Sequence, residues 1–246
     1  MKWRGMTYAV ASLVALHAAS SLASFPNYIP YSNEAFGGTK RTYEVLGESN
    51  ADWGQSFKAV KTYIRAKHVK DCWVSYVTFS DPTYYQTGCN FLPTTHGWLS
   101  RDDMSGPGVE GTLLIGASAL EGASELDAYA QFRKLVPEET IGNTILVFRG
   151  RFNLPLAFAL AQINRSETLS GEGYGAEAVD VARKAVALAP GALLPHAELA
   201  RALAAANRIA EAQAEYQSAI LIARKIDPEY HERDLAQLEK EVQQLH

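Results

Sequence analysis

Asn50, Asp52 and Gln55 crowd one point of the chain, inside the stretch Ser49-Asn50-Ala51-Asp52-Trp53-Gly54-Gln55. Short polar side chains at the start of a helix do one of two things. A side-chain oxygen caps the first turn, accepting from a backbone N–H that has no partner within the helix. Alternatively, polar groups at the positive end of the helix hold an anion or a sugar hydroxyl. Trp53, Phe57, Val60 and Ile64 follow at helical spacing, which predicts an amphipathic helix from Trp53 onward. A capped helix start is the favoured reading of the stretch.

Two further groups carry potential chemistry. Tyr84 and Tyr85 fall in a loop, where aromatic rings stack on sugars or, more commonly, close over a core. With Trp53 and Trp98 they would make a carbohydrate-binding surface. Cys72 and Cys89 are the only cysteines and cannot supply a four-ligand zinc site alone. Two readings stand for them: a disulfide, if the segment is exported to an oxidising compartment, or two separate buried thiols. His68, His96 and His196 are scattered singly. Gly116, Gly122 and Gly142 make neither a GxGxxG nor a P-loop spacing. Arg101-Asp102-Asp103 lacks further oxygen ligands at loop spacing. No cofactor and no metal site are expected.

Elements must position these groups, and composition bounds what they are. The chain has 246 residues, 47% hydrophobic and 20% charged, with a formal net charge of -4. That length allows one or two domains with a sizeable core. The mildly acidic balance gives no electrostatic case for nucleic acid. Lys2 and Arg4 precede an uncharged run from Met6 to Phe25. It reads as a membrane helix of roughly 20 residues or as a secretory signal cut after Ser21-Leu22-Ala23. In both, the basic end is cytoplasmic and the chain after Asn27 lies outside. Phe25, Tyr28, Tyr31 and Phe36 are rings of the kind that sit at headgroup level.

Beyond the Trp53 helix, Trp73 to Phe79 alternates and reads as a strand. Gly111 to Ser118 is an apolar run consistent with a buried strand. Leu126 to Leu135 is expected as a short helix ended by Pro137, and Ile141 to Phe148 as a further strand. After residue 150 alanine dominates and strands vanish. Ala178, Ala182 and Ala185 recur as Ala212, Tyr216 and Ala219, near the 34-residue period of a tetratricopeptide repeat. Leu156 to Ile163 is expected as the first helix, followed by an inserted loop from Ser170 to Gly175. Tyr230 to Leu245 would cap the stack. Arg201 and Arg208 are the cations that could line its inner surface. The fold class expected is therefore α+β. It has a membrane anchor or signal segment (1–26), a small layered α/β extracytoplasmic domain with at least three strands (27–150), and tetratricopeptide-like helical hairpins with a capping helix (151–246).

Three blocks carry a resemblance. Tyr31-Ser32-Asn33-Glu34-Ala35-Phe36-Gly37-Gly38, the Ser49 to Gln55 stretch, and Asp81-Pro82-Thr83-Tyr84-Tyr85 occur in that order. Together they resemble the exported C-terminal part of bacterial integral-membrane glycosyltransferases, similar to protein O-mannosyltransferases and to the aminoarabinose transferase of lipid A. The resemblance runs from residue 8 to residue 149. It covers only the end of such an enzyme, without the many membrane helices and the acidic first outer loop that implies catalysis in that family. Leu16 to Leu22 resembles the family's last membrane helix, which favours an anchor over a cleaved signal. The region of Asn33 and Glu34 lies beside the active site in those enzymes. A lone Glu is a poor general base, however, and no partner for it is legible, so a structural role is favoured.

Two functions are expected. The first is a single-pass, inner-membrane, periplasmic interaction protein that binds a protein partner through its helical repeats. The second is an accessory or truncated part of a membrane glycosyltransferase that uses a polyprenyl-phosphate sugar. Without a Ser/His/Asp grouping or nucleotide loop, the chain is not expected to be catalytic alone; were it enzymatic, the resemblance implies glycosyl transfer.

Overall fold

A computed structural model of the chain describes residues 2–45, 54–76, 82–92, 106–120, 127–225 and 228–245. The fold is mixed α/β, with one five-stranded sheet, an apolar N-terminal helix and a run of C-terminal helices. Its contacts divide the chain into two units. One holds residues 1–90, 111–123 and 129–150; the other holds 91–110, 124–128 and 151–246.

In the first unit, α1 (Lys2–Ala23) exposes its apolar side chains from Met6 to Leu22. The segment Gly5–Ala23 is long and apolar enough to cross a membrane. Pro26, which lacks a backbone donor, comes close behind the helix end. The chain then makes two 3-10 turns, Glu34–Phe36 and Thr39–Glu44. Buried Thr42 ties the second turn back to the segment before the first, its hydroxyl donating to the Pro30 carbonyl at 2.8 Å. Gly37, at a φ of 93°, sits where a Cβ would come within 2.7 Å of Arg41 Cβ.

Helix α2 (Phe57–Lys67) buries Phe57, Val60 and Ile64 and ends at His68 in a left-handed conformation. The sheet is ordered β2-β1-β3-β5-β4, with β1 at Cys72–Ser75, β2 at Asn90–Phe91, β3 at Gly108–Gly116, β4 at Glu139–Ile141 and β5 at Ile145–Asn153. β1 and β3 run parallel with Cys72 opposite Thr112, and β4 and β5 run antiparallel with Glu139 opposite Val147. Leu113, Leu114, Ile115, Ile145, Leu146 and Val147 are fully or almost fully buried, so the central strands are apolar on both faces. A four-residue helix, α3 (Ala117–Leu120), comes after β3.

Several expected elements are corrected. Ile141 to Phe148 is not one strand. Gly142 and Asn143, at φ of 60° and 62°, turn the chain between β4 and β5, and paired positive φ is what a tight hairpin requires. The short helix expected from Leu126 is a 3-10 turn, Ala130–Lys134; its start falls outside the described residues. There the chain is held by tertiary contacts, with Phe132 against Phe148 and Arg133 Nε donating to the Leu120 carbonyl. The Trp53 helix begins only at Phe57, and the strand expected from Trp73 is described only to Ser75.

In the second unit, α4 (Pro155–Gly171), α5 (Gly175–Leu188), α6 (Leu193–Ala205), α7 (Ile209–Ala223) and α8 (Pro228–Gln243) succeed one another through short turns. α4 opens on a proline, whose missing N–H costs nothing at that position. Each helix packs on the next from α4 to α8, and α4 also packs on α6. Ala178, Ala182, Ala185, Ala212 and Ala219 are fully buried, so backbones approach closely at these positions. No inserted loop separates the first pair, because α4 continues to Gly171 and only residues 172–174 make the turn. Leu235, Leu238, Val242 and Leu245 pack on the cluster formed by Ala197, Tyr216, Ala219 and Ile220.

Candidate functional site

The sequence candidates fall on separate elements. Asn50, Asp52 and Trp53 lie outside the described residues, as do Trp98 and Arg101-Asp102-Asp103. Gln55 is exposed just before α2. The helix receives no side-chain cap from Ser56. Instead, the Ser56 N–H donates to the Tyr76 hydroxyl at 3.1 Å, and its Oγ lies 2.8 Å from Thr144 Oγ1. The start of α2 is thus bonded to groups beyond β1 and in the β4–β5 turn.

Tyr84 and Tyr85 divide between the two readings of a loop aromatic. Tyr85 packs on Phe57 at 5.1 Å between ring centroids, and Phe57 stacks on Tyr76 at 5.2 Å, so Tyr85 closes over a core. Tyr84 meets Tyr85 edge-on and remains 80% exposed. Cys72 and Cys89 form a disulfide, tying β1 to the segment before β2. Closing a loop of this length, 17 residues apart, restricts the unfolded chain. Replacing both cysteines with serine is expected to cost about 3 kcal/mol, readable as a lower urea midpoint under oxidising conditions.

Glu34 stands against the end of α1, and Asn33 precedes it in the turn. Asn33 caps the first 3-10 turn, its Oδ1 accepting from the Ala35 N–H at 3.0 Å. The Ser20 hydroxyl lies 2.9 Å from the Tyr31 hydroxyl. It also hydrogen-bonds the Glu34 carboxylate, which, with the backbone bond at Glu34 and the nearby His17, holds that group below its usual pKa. The turn is therefore bound to the last turns of α1. Glu34 stays ionised, the opposite of what a general acid needs.

The least expected group is in the helical unit. Glu198 of α6 is only 2% exposed, and its Oε1 accepts from the fully buried Ser166 hydroxyl of α4 at 2.7 Å. Burial raises its pKa to about 7 against the opposing Ser166 bond, and Glu167 and Glu241 add like charge. Beside it Arg201 bonds Glu241 of α8 at 3.0 Å, and Gln237 donates to the same carboxylate. The Tyr216 hydroxyl is pushed up to about 12 by burial and by the Glu241 charge. His196 Nδ1 lies 2.7 Å from Glu215, and its Nε2 lies 3.0 Å from the Pro190 carbonyl. The two cations named from sequence are both engaged, Arg201 with Glu241 and Arg208 with Glu211. Glu198 has a sequence signal: it stands four residues from Leu194 and from Ala202, on the apolar face of its helix.

Among the described residues, no group of His, Cys, Asp or Glu side chains is arranged to hold a metal ion. Comparison of the chain with known protein families, characterised proteins and solved structures finds no match.

Proposed function

We propose that the chain is a membrane-anchored interaction protein. α1 holds it in a bilayer, the disulfide-bearing unit lies on the extracytoplasmic side, and the helical unit binds a protein partner through tetratricopeptide-type hairpins. The observation that carries this reading is the pairing of the repeat positions. Ala178, Ala182 and Ala185 of α5, and Ala212, Tyr216 and Ala219 of α7, are all buried at corresponding places in alternate helices. Stacked helix pairs of this kind present a continuous surface to a partner. The disulfide supports the compartment, since such bonds persist where the surroundings oxidise.

Photoreactive side chains at Glu167 on α4 and Ala204 on α6 are expected to crosslink one protein partner in intact cells. The same group at Lys61 on α2 is expected not to capture it. A partner captured equally from all three positions would contradict binding through the helices.

A second reading keeps the chain as an accessory part of a membrane glycosyltransferase that uses a polyprenyl-phosphate sugar. The position of the ionised Glu34 against the end of α1 favours it. It requires co-purification with a multi-helix membrane enzyme, and loss of sugar transfer in the Glu34→Gln variant. Unchanged transfer in that variant would remove the support.

A further inference from the structure

Apolar exposure is concentrated in one stretch of the described chain. Among the described residues, every large exposed hydrophobic except Tyr84, Leu135, Val136, Tyr174 and Leu221 lies between Met6 and Val45. Most belong to α1, but Phe25, Tyr28, Ile29, Phe36 and Val45 lie beyond its end. A flexible tail could shed such rings into any contact. This segment is folded: Thr42 bonds the Pro30 carbonyl, Ser32 bonds the Gly38 carbonyl, and Asn33 caps its own turn.

The segment also turns back along α1. Tyr31 and Glu34 both reach Ser20, which precedes the helix end at Ala23, and Glu34 feels the charge of His17 one turn earlier. Ser20 is therefore about 4.5 Å short of the helix end along the axis. The apolar span has 19 residues, about 28 Å of helix against a hydrocarbon core of about 30 Å. A spanning α1 has no spare length with which to lift Ser20 clear of the bilayer. Whatever contacts Ser20 is then held within about one helical turn of the headgroup layer.

We infer that residues 24–45 form a folded collar seated in the lipid headgroup layer around the end of α1, with Phe25, Tyr28, Ile29 and Phe36 facing lipid. This rests on the reading that α1 spans a membrane. The collar's charges balance, Lys40 and Arg41 against Glu34 and Glu44, and Arg41 is paired with Glu44 at 2.9 Å. Its partner is therefore the amphipathic interface of the bilayer and not specifically an anionic lipid. Rings with one apolar body and one polar tip, such as Tyr28 and Tyr31, suit that layer.

The test uses the full chain reconstituted in phosphatidylcholine vesicles. Its native cysteines are joined, so an introduced cysteine takes an environment-sensitive fluorophore alone. Labels at Phe36→Cys and Ile29→Cys are expected to be quenched about twofold more by a quencher lipid labelled near the headgroup than by one labelled at the acyl-chain end. A label at Val14→Cys is expected to show the reverse order. Adding anionic lipid is expected to leave the ratios unchanged. Deep quenching at position 14 with none at positions 29 and 36 would overturn the collar and leave the anchor standing. No quenching at position 14 would overturn both.

Discussion

Replacing Glu198 with glutamine is expected to flatten the pH dependence of stability in the helical unit. Folded Glu198 holds its proton up to a pH of about 7, against an ordinary carboxylate value of 4.5. Its contribution to stability is therefore fully present below pH 4.5 and is lost as pH rises through 7. The difference corresponds to about 3 kcal/mol between acid and mildly alkaline solution. The groups around it are Ser166 and Glu167 on α4, Arg201 on its own helix, Tyr216 on α7 and Glu241 on α8. α5, which also packs on α6, places only apolar residues among its buried side chains. Ser166 can donate to the amide oxygen of glutamine as it does to the acid, so the variant keeps the contact and loses the titration. Urea unfolding from pH 4.5 to pH 8.5 reads the result directly. A wild-type curve as flat as that of Glu198→Gln would refute the assignment.

Phe57→Ala is expected to cost the most among single core changes in the sheet unit. Phe57 is fully buried at the first position of α2, stacked on Tyr76 and covered by Tyr85. Removing a buried ring leaves a cavity as well as lost contacts, about 3–5 kcal/mol in total. Because whole-domain stability is only about 5–15 kcal/mol, Phe57→Leu is the graded control, with a smaller loss. Denaturant midpoints for both variants settle the ranking. A loss below about 1 kcal/mol for Phe57→Ala would mean that α2 is not held to the sheet through this ring.

Much of the architecture is legible in residue patterns, and the failures have physical causes. The buried β3 run and the α2 spacing of Phe57, Val60 and Ile64 read correctly because burial itself imposes those periods. The β4–β5 hairpin was hidden by apolar residues on both sides of Gly142-Asn143. Only the pair's tolerance of positive φ marks the turn. At 130–134 the chain takes a 3-10 turn because Phe132 and Arg133 are fixed by Phe148 and the Leu120 carbonyl, contacts that no local window contains. The pairing of Cys72 with Cys89 depended on which compartment the chain occupies, so the sequence left it open.

The candidate site was less legible. Asn33 and Glu34 stand out by type; Asn33 makes a local cap, but the contacts of Glu34 depend on Ser20 and His17, which read from sequence as parts of an isolated apolar run. Tyr84 and Tyr85 look equivalent in sequence; only packing against Phe57 separates the buried ring from the exposed one. Glu198 carries a local signal in its apolar neighbours, but its perturbation comes from burial among packed helices, which outweighs the opposing Ser166 bond, and no local window shows that packing.

Anchor and collar both require α1 to stay joined to the collar residues 24–45. Intact-mass measurement of the mature chain, recovered from membranes washed at alkaline pH, tests this directly. The expected result is a membrane-embedded protein that still carries residues 2–23. A soluble product beginning at Ser24 would contradict the anchor, the collar and the Ser20 contacts together.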